Sequence, residues 1–258
     1  MVSKKYLCAG VLVSLLVACA TSPTGQRQLR LFSEGQMQEM GAASYAEMKK
    51  QTPASKAAGP NRRVQCVANS LTSMVGGSWE VTLFEGEAVN AFALPGGKIG
   101  VYEGLLKVAS TDDQLAAVVG HEIAHVQAHH SNARASAATL TDVGLQIASA
   151  ISGGTATGNM MMAALGLGAQ VGILMPYGRS QESEADILGL NLMARAGFNP
   201  REAVSLWQNM GKASKGQPPE FMSTHPSHDT RINDLNAAMP EALNIYNNAQ
   251  AAGRKPNC

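Results

Sequence analysis

The sequence predicts a mostly helical α+β domain with one small sheet, and three observations carry that prediction. Of 258 residues, 45% are hydrophobic but only 5% aromatic. Ala, Gly and Met therefore supply much of the apolar content and favour close helix contacts. Several segments repeat apolar residues at helical spacing, while alternation at period two appears over residues 79–102. No internal repeat is present, and the length accommodates one large domain or two small ones.

At the N-terminus, Lys4 and Lys5 precede an apolar run from Leu7 to Val17 that is too short to span a bilayer as a mature helix. The run ends in Leu16-Val17-Ala18-Cys19. Small residues before a cysteine resemble a bacterial lipoprotein signal, with an ordinary secretory signal as the alternative. Residues 1–18 are then a removed signal, 19–32 a lipidated tether with Pro23 and Gly25, and 33–258 one folded domain with its core at about 60–240. Acyl chains on Cys19 would make a membrane a partner, each buried CH₂ contributing about 0.8 kcal/mol. Ala20, in place of an Asp after the cysteine, points to the outer membrane, facing the periplasm.

Ser33 with Gln36 forms a capping-box pattern for a helix to about Lys50. A loop with Pro53, Gly59 and Pro60 follows. Val64, Val67, Ala68, Leu71 and Val75 then predict a helix over 61–75, ended by Gly76-Gly77. Strands are expected over Trp79–Phe84, Val89–Leu94 and Lys98–Tyr102, the last two joined by the turn Pro95-Gly96-Gly97. Thr111 with Gln114 starts a helix over 112–131. From Val143 to Gly178 no residue is charged. That segment admits three readings: a buried hairpin or lid, a membrane-surface contact, or membrane insertion. Ser180 caps the next helix and Gly197 ends it. Asn199-Pro200 opens a helix to about Met210, and Lys212–Glu220 reads as a mobile loop. A short helix ending before Pro240 and a final helix and tail complete the chain.

The formal net charge is +1, so no basic field suggests nucleic acid and no acidic tail suggests a disordered arm. Once the signal is removed and Cys19 lipidated, Cys66 and Cys258 remain in an oxidising compartment. They form a disulfide or stay as two free thiols; sequence supplies no distance to decide.

The chemistry concentrates at His121-Glu122-Ile123-Ala124-His125. On a helix, two histidines four residues apart sit about 6 Å apart along one face. Both imidazoles then reach one metal ion at roughly 2.0–2.1 Å. Glu122 points to an adjacent part of the same rim, where it reaches a water rather than the metal. This is the H-E-x-x-H zinc-peptidase pattern. Downstream, Glu182 and Asp186 also share a helix face. One carboxylate can be the third ligand and the other can fix the tautomer of a ligand histidine. Three protein ligands leave a position open, the mark of a catalytic site. His129 and His130 lie too far along the axis to share that coordination sphere. They read as surface or supporting residues.

Taken together, Asn90-Ala91-Phe92-Ala93-Leu94-Pro95-Gly96-Gly97, Asp113-Gln114-Leu115, His121-Glu122-Ile123-Ala124-His125, Glu182-Ser183-Glu184-Ala185-Asp186, and His225-Pro226 with Arg231 resemble the family-48 metallopeptidases. Among these they are most similar to the lipoprotein-type periplasmic members. The resemblance implies a zincin-like fold of the gluzincin type, with the small sheet over the zinc helix. It implies one Zn²⁺ held by His121, His125 and Glu182, Glu122 as general base and acid, and Asp186 orienting His121. His225 would stabilise the oxyanion or swing onto zinc as an inhibitory fourth ligand, and Arg231 would support that region or itself donate to the oxyanion. Glu184 would be a surface or supporting carboxylate, and His228 has no matched role. Asn90, Ala91 and Phe92 are the candidate edge strand to hold an extended substrate, an internal strand with ordinary core packing being the alternative. The implied work is cleavage of unfolded or misfolded envelope proteins in quality control. The alternative is a chaperone-like factor with a latent protease site, partnered with outer-membrane assembly machinery.

Overall fold

A computed structural model describes residues 19–151, 175–213, 221–222, 225 and 230–258. Residues 214–220 of the predicted Lys212–Glu220 loop, His228, and most of the uncharged 143–178 segment lie outside the described residues. Among the described residues, no helix is long and apolar enough to cross a membrane.

The chain divides into two compact units. The first holds residues up to Met37 and residues 128–178. Here the expected tether proves to be ordered. Strands β1 (Cys19–Thr21) and β2 (Arg27–Leu29) pair antiparallel. Gln28 is buried and donates to the Ala128 carbonyl at 2.8 Å. Ser136 Oγ accepts from the Leu31 amide, and Asn132 Nδ2 donates to the Phe32 carbonyl. Polar side chains thus fasten this stretch to a helix that the local sequence does not announce.

Helix α1 (Glu34–Gln51) opens on the predicted capping box: the Gln36 amide donates to Ser33 Oγ at 3.3 Å and the Ser33 amide to Gln36 Oε1 at 2.9 Å. Helix α2 (Ala58–Thr72) starts three residues earlier than its periodicity suggests. Gly59 and Pro60 form its first turn, where a missing amide costs nothing because that amide has no helical acceptor.

The second unit is built on three strands, β3 (Glu80–Phe84), β4 (Ala91–Leu94) and β5 (Lys98–Tyr102), in the order β3-β5-β4. The β3–β5 pair is parallel and the β4–β5 pair antiparallel. Gly96 and Gly97 make the hairpin turn at φ 83° and 70°, a region costly for any residue with a Cβ. β4 is therefore an edge.

A 3-10 turn (Glu103–Lys107) leads to α3 (Asp112–Gln127), every residue of which from Gln114 to His125 is buried. It packs against α2 and β4. The predicted extension to 131 fails. His129 takes φ 56°, breaking the helix, and α4 (His130–Ile151) starts afresh. His129 lies 3.2 Å from Glu34, and His130 is buried. Helix α5 (Met175–Ala196) contains Ser180 rather than being capped by it, and stops at Gly197. Helix α6 (Arg201–Ala213) is capped as expected, Asn199 Oδ1 accepting from the Arg201 amide. Helix α7 (Arg231–Ala251) runs through Pro240, so the predicted break there does not occur. Cys66 and Cys258 are joined in a disulfide with a Cα–Cα distance of 5.5 Å.

Candidate metal centre

Helix α3 begins with the Gln114 amide donating to Thr111 Oγ1 at 3.2 Å. The expected box is only half made, because Gln114 Oε1 accepts from the Ser110 amide instead. Ten residues on, His121 and His125 project from one face, with Nε2 atoms 3.0 Å apart. Both are buried.

Helix α5 supplies the facing carboxylates. Glu182, Asp186 and Gly189 recur at i, i+4 and i+7, and so share a face. At Gly189 a Cβ would lie 2.8 Å from the His121 amide nitrogen and 2.9 Å from its Cα. The backbones of α3 and α5 thus meet at a distance that only glycine allows. That approach lets Glu182 Oε2 come within 3.3 Å of His121 Nε2, and Glu182 Oε1 within 3.3 Å of His125 Nε2. Asp186 Oδ1 lies 2.9 Å from His121 Nδ1, the opposite ring nitrogen.

His225 completes the cluster. Its Nδ1 lies 3.1 Å from Glu182 Oε1 and 3.3 Å from His121 Nε2, and its Nε2 lies 3.3 Å from Glu122 Oε1. Ligand atoms of His121, His125, Glu182 and His225 all fall within 4.8 Å of one another. Five of their separations are 3.0–3.3 Å. A tetrahedron with bonds of roughly 2.0–2.1 Å has edges of about 3.3–3.4 Å, so the donor set fits zinc. Nitrogen and carboxylate donors also suit that ion. Glu184 is buried but is not one of the four.

Burial opposes charge on His121, yet its contacts with Asp186 and Glu182 outweigh that and raise its pKa to about 10. Burial pushes His125 well below the ordinary histidine value. Burial also works against the Glu182 carboxylate, but His121, His125 and His225 hold it far below the usual range.

Arg231 sits behind the cluster rather than in it. Its Nε donates to Asp186 Oδ2 at 2.6 Å and its Nη2 to Glu182 Oε2 at 2.9 Å. It thus bridges the Asp186 and Glu182 carboxylates.

The β4 edge runs beside Glu122. The Tyr102 amide donates to the Asn90 carbonyl at 3.1 Å. Antiparallel pairs alternate, so Asn90, Phe92 and Leu94 direct their backbone groups at β5. The backbone groups of Ala91 and Ala93 point away from β5, Ala91 being one of the three residues expected at the edge. The Ala93 amide donates to Glu122 Oε2 at 3.3 Å. The Phe92 ring lies over Gly100 and among Tyr45, Phe84 and Tyr102, anchoring the strand from its other side.

Two buried aromatic residues near the cluster were not singled out in the sequence. Trp207 and Phe221 lie 6.3 Å and 6.0 Å from the His121 ring. Trp207 is visible only as part of the apolar face of α6, and Phe221 has no local signal.

The profile of Peptidase family M48 matches residues 56–239. The mitochondrial metalloendopeptidase OMA1 of Schizosaccharomyces pombe is 36% identical over 173 residues, covering 64% of this chain and 48% of that protein. The beta-barrel assembly-enhancing protease of Yersinia pestis is 34% identical over 162 residues, covering 59% and 32%. Metalloprotease LoiP of Escherichia coli is 27% identical over 179 residues, covering 69% and 70%. The chain thus spans about half or less of the first two relatives. Mitochondrial and bacterial proteins both match, so likeness in sequence supports the peptidase family without selecting a periplasmic lipoprotein type.

Proposed function

The chain belongs to peptidase family M48, and from that premise we propose that it is a zinc metalloendopeptidase acting on internal bonds of unfolded proteins. One observation carries the reading: four buried donor atoms converge within 4.8 Å while Glu122, on the same helix, stays outside the group and beside an open strand edge. His121, His125 and Glu182 would hold the ion. Zinc, when bound, polarises the scissile carbonyl and makes water a nucleophile near neutral pH.

The chain's own groups do the rest. An extended peptide adds to β4 through the main-chain groups of Ala91 and Ala93, taking over the Ala93 amide from Glu122. Glu122 then takes a proton from water and delivers it to the leaving amine. Asp186, in contact with His121 Nδ1, keeps that ring's Nε2 directed at the ion. His225 adds a fourth donor, and a set of four protein ligands leaves no open position. We read this arrangement as a latched state, in which His225 withdraws before substrate enters.

Envelope location, lipid attachment at Cys19, and misfolded or unassembled envelope proteins as substrates form the finer part of the proposal. They are supported by the N-terminal pattern and by the bacterial relatives. The His225 contact also favours a second reading, an assembly factor that binds unfolded outer-membrane proteins and cleaves rarely. A relative named as a beta-barrel assembly-enhancing protease supports it.

The test is casein cleavage by the zinc-loaded chain, paired with Glu122→Gln. Cleavage by the first alone is expected once His225 is replaced by Ala, with the unreplaced chain slower. Equal cleavage by the Glu122→Gln protein would remove Glu122 from the mechanism. Cleavage unchanged or lost in His225→Ala would remove the latch.

A further inference from the structure

Arg231 bridges the carboxylate proposed to bind zinc and the carboxylate that contacts His121. A guanidinium offers five donors in one rigid plane. It fixes the angle between two carboxylates only if that plane is itself fixed. Arg231 is the first residue of α7 and only 2% exposed. Its Cζ lies 3.9 Å from the centroid of the Trp207 ring, well inside the roughly 6 Å range of cation–π attraction. Trp207 is itself only 9% exposed, and also packs edge-on to the His121 ring and against Phe221.

We propose that Trp207 is a positioning residue for the metal centre, holding the Arg231 plane and through it the orientation of Glu182 and Asp186. The proposal rests on the zinc reading above. An aliphatic side chain would fill part of the same space but has no quadrupole. The buried face of a cation would then lose its partner in a medium where that partner matters most.

The experiment is zinc affinity of the full chain by chelator competition, with thermal unfolding of the zinc-free protein as a fold control. Outer-shell partners of metal ligands are worth about 10–100-fold in affinity. Trp207→Leu is expected to fall in that range, and Trp207→Phe to stay within about threefold, because a phenyl face still stacks. The chain has two tryptophans, so Trp79→Phe leaves Trp207 alone. Fluorinated tryptophan incorporated into that protein drains the ring face with little change of volume, which keeps the test open if the Leu variant misfolds. Affinity should then fall stepwise with fluorination, by about 2–5-fold in all. A Leu variant that binds zinc as tightly as the parent, or an affinity indifferent to fluorine, would overturn the proposal. Those results differ from failure of the zinc reading itself, in which the parent chain binds no zinc or Glu182→Gln binds it equally well.

Discussion

The two halves of the metal centre are made differently. On α3, His121, Glu122 and His125 lie within five residues, and their relation follows from the helix alone. The other half is assembled: Glu182 and Asp186 come from α5, Arg231 from α7 and His225 from the segment between α6 and α7. Each reaches the first half only through packing, above all through the glycine contact between Gly189 and His121. The local half sets which chemistry is possible. It carries Glu122 and two of the proposed ligands, and the assembled half adds the third together with His225.

The largest effect that separates the halves should come from Glu122→Gln. It removes a proton carrier but no proposed ligand, so turnover should fall by about 10²–10⁴-fold while zinc content stays near one per chain. Measured zinc loss would mean that Glu122 helps to bind the metal as well.

Cys66→Ser attacks the assembled half from a distance. The disulfide ties α2 to the tail after α7, closing a sequence separation of 192 residues. Its loss should cost about 2–4 kcal/mol of stability, chiefly by freeing the unfolded chain. Thermal unfolding with and without reductant checks this. The Ser variant should be insensitive to reductant, and an unchanged midpoint in both would show the bond to be neutral.

Asp186→Asn should weaken zinc binding by about 10–100-fold with little change in fold, because the amide keeps the shape but not the charge facing His121 Nδ1. Chelator competition reads it directly. An effect under twofold would show that His121 is oriented by α3 alone, and the contrast between the halves would weaken.

What could be read from the chain follows the same division. The α3 triplet was legible because its geometry needs only a helix, and the Pro95-Gly96-Gly97 turn because glycine has few other reasons to double there. Arg231 was legible only as support for its region or as an oxyanion donor, without its partners. Supporting the site by bridging Asp186 and Glu182 depends on where α7 crosses α5, which no local pattern encodes. The stretch after Cys19 was misjudged for a related reason. Its polar residues looked solvated, but Gln28 satisfies itself on the distant Ala128 carbonyl. Pro240 misled in the opposite sense. Inside a helix it costs about 3 kcal/mol, yet Ala242 and Ala249 beyond it are buried, and tertiary packing carries the helix through. For β4 the sequence offered a stretch, Asn90 to Phe92, but not which of its residues turn their backbone groups away from β5, because alternation shows that faces differ without showing which edge is paired.

The smallest effect should come from the local half. Thr111→Ala removes the side-chain acceptor for the Gln114 amide and should cost about 1 kcal/mol. Zinc affinity should not follow. The cap acts on the first turn, while His121 sits more than two turns further on in a stretch buried on all sides. Fraying at Thr111 is therefore absorbed before it reaches the imidazoles. Unfolding midpoint and chelator competition on the same sample would separate the two quantities. A midpoint lowered by a few degrees with zinc affinity unchanged is the expected pair. If affinity fell in step with stability, the spacing of His121 and His125 would depend on the whole helix, and the half of the site described as local would be as assembled as the other.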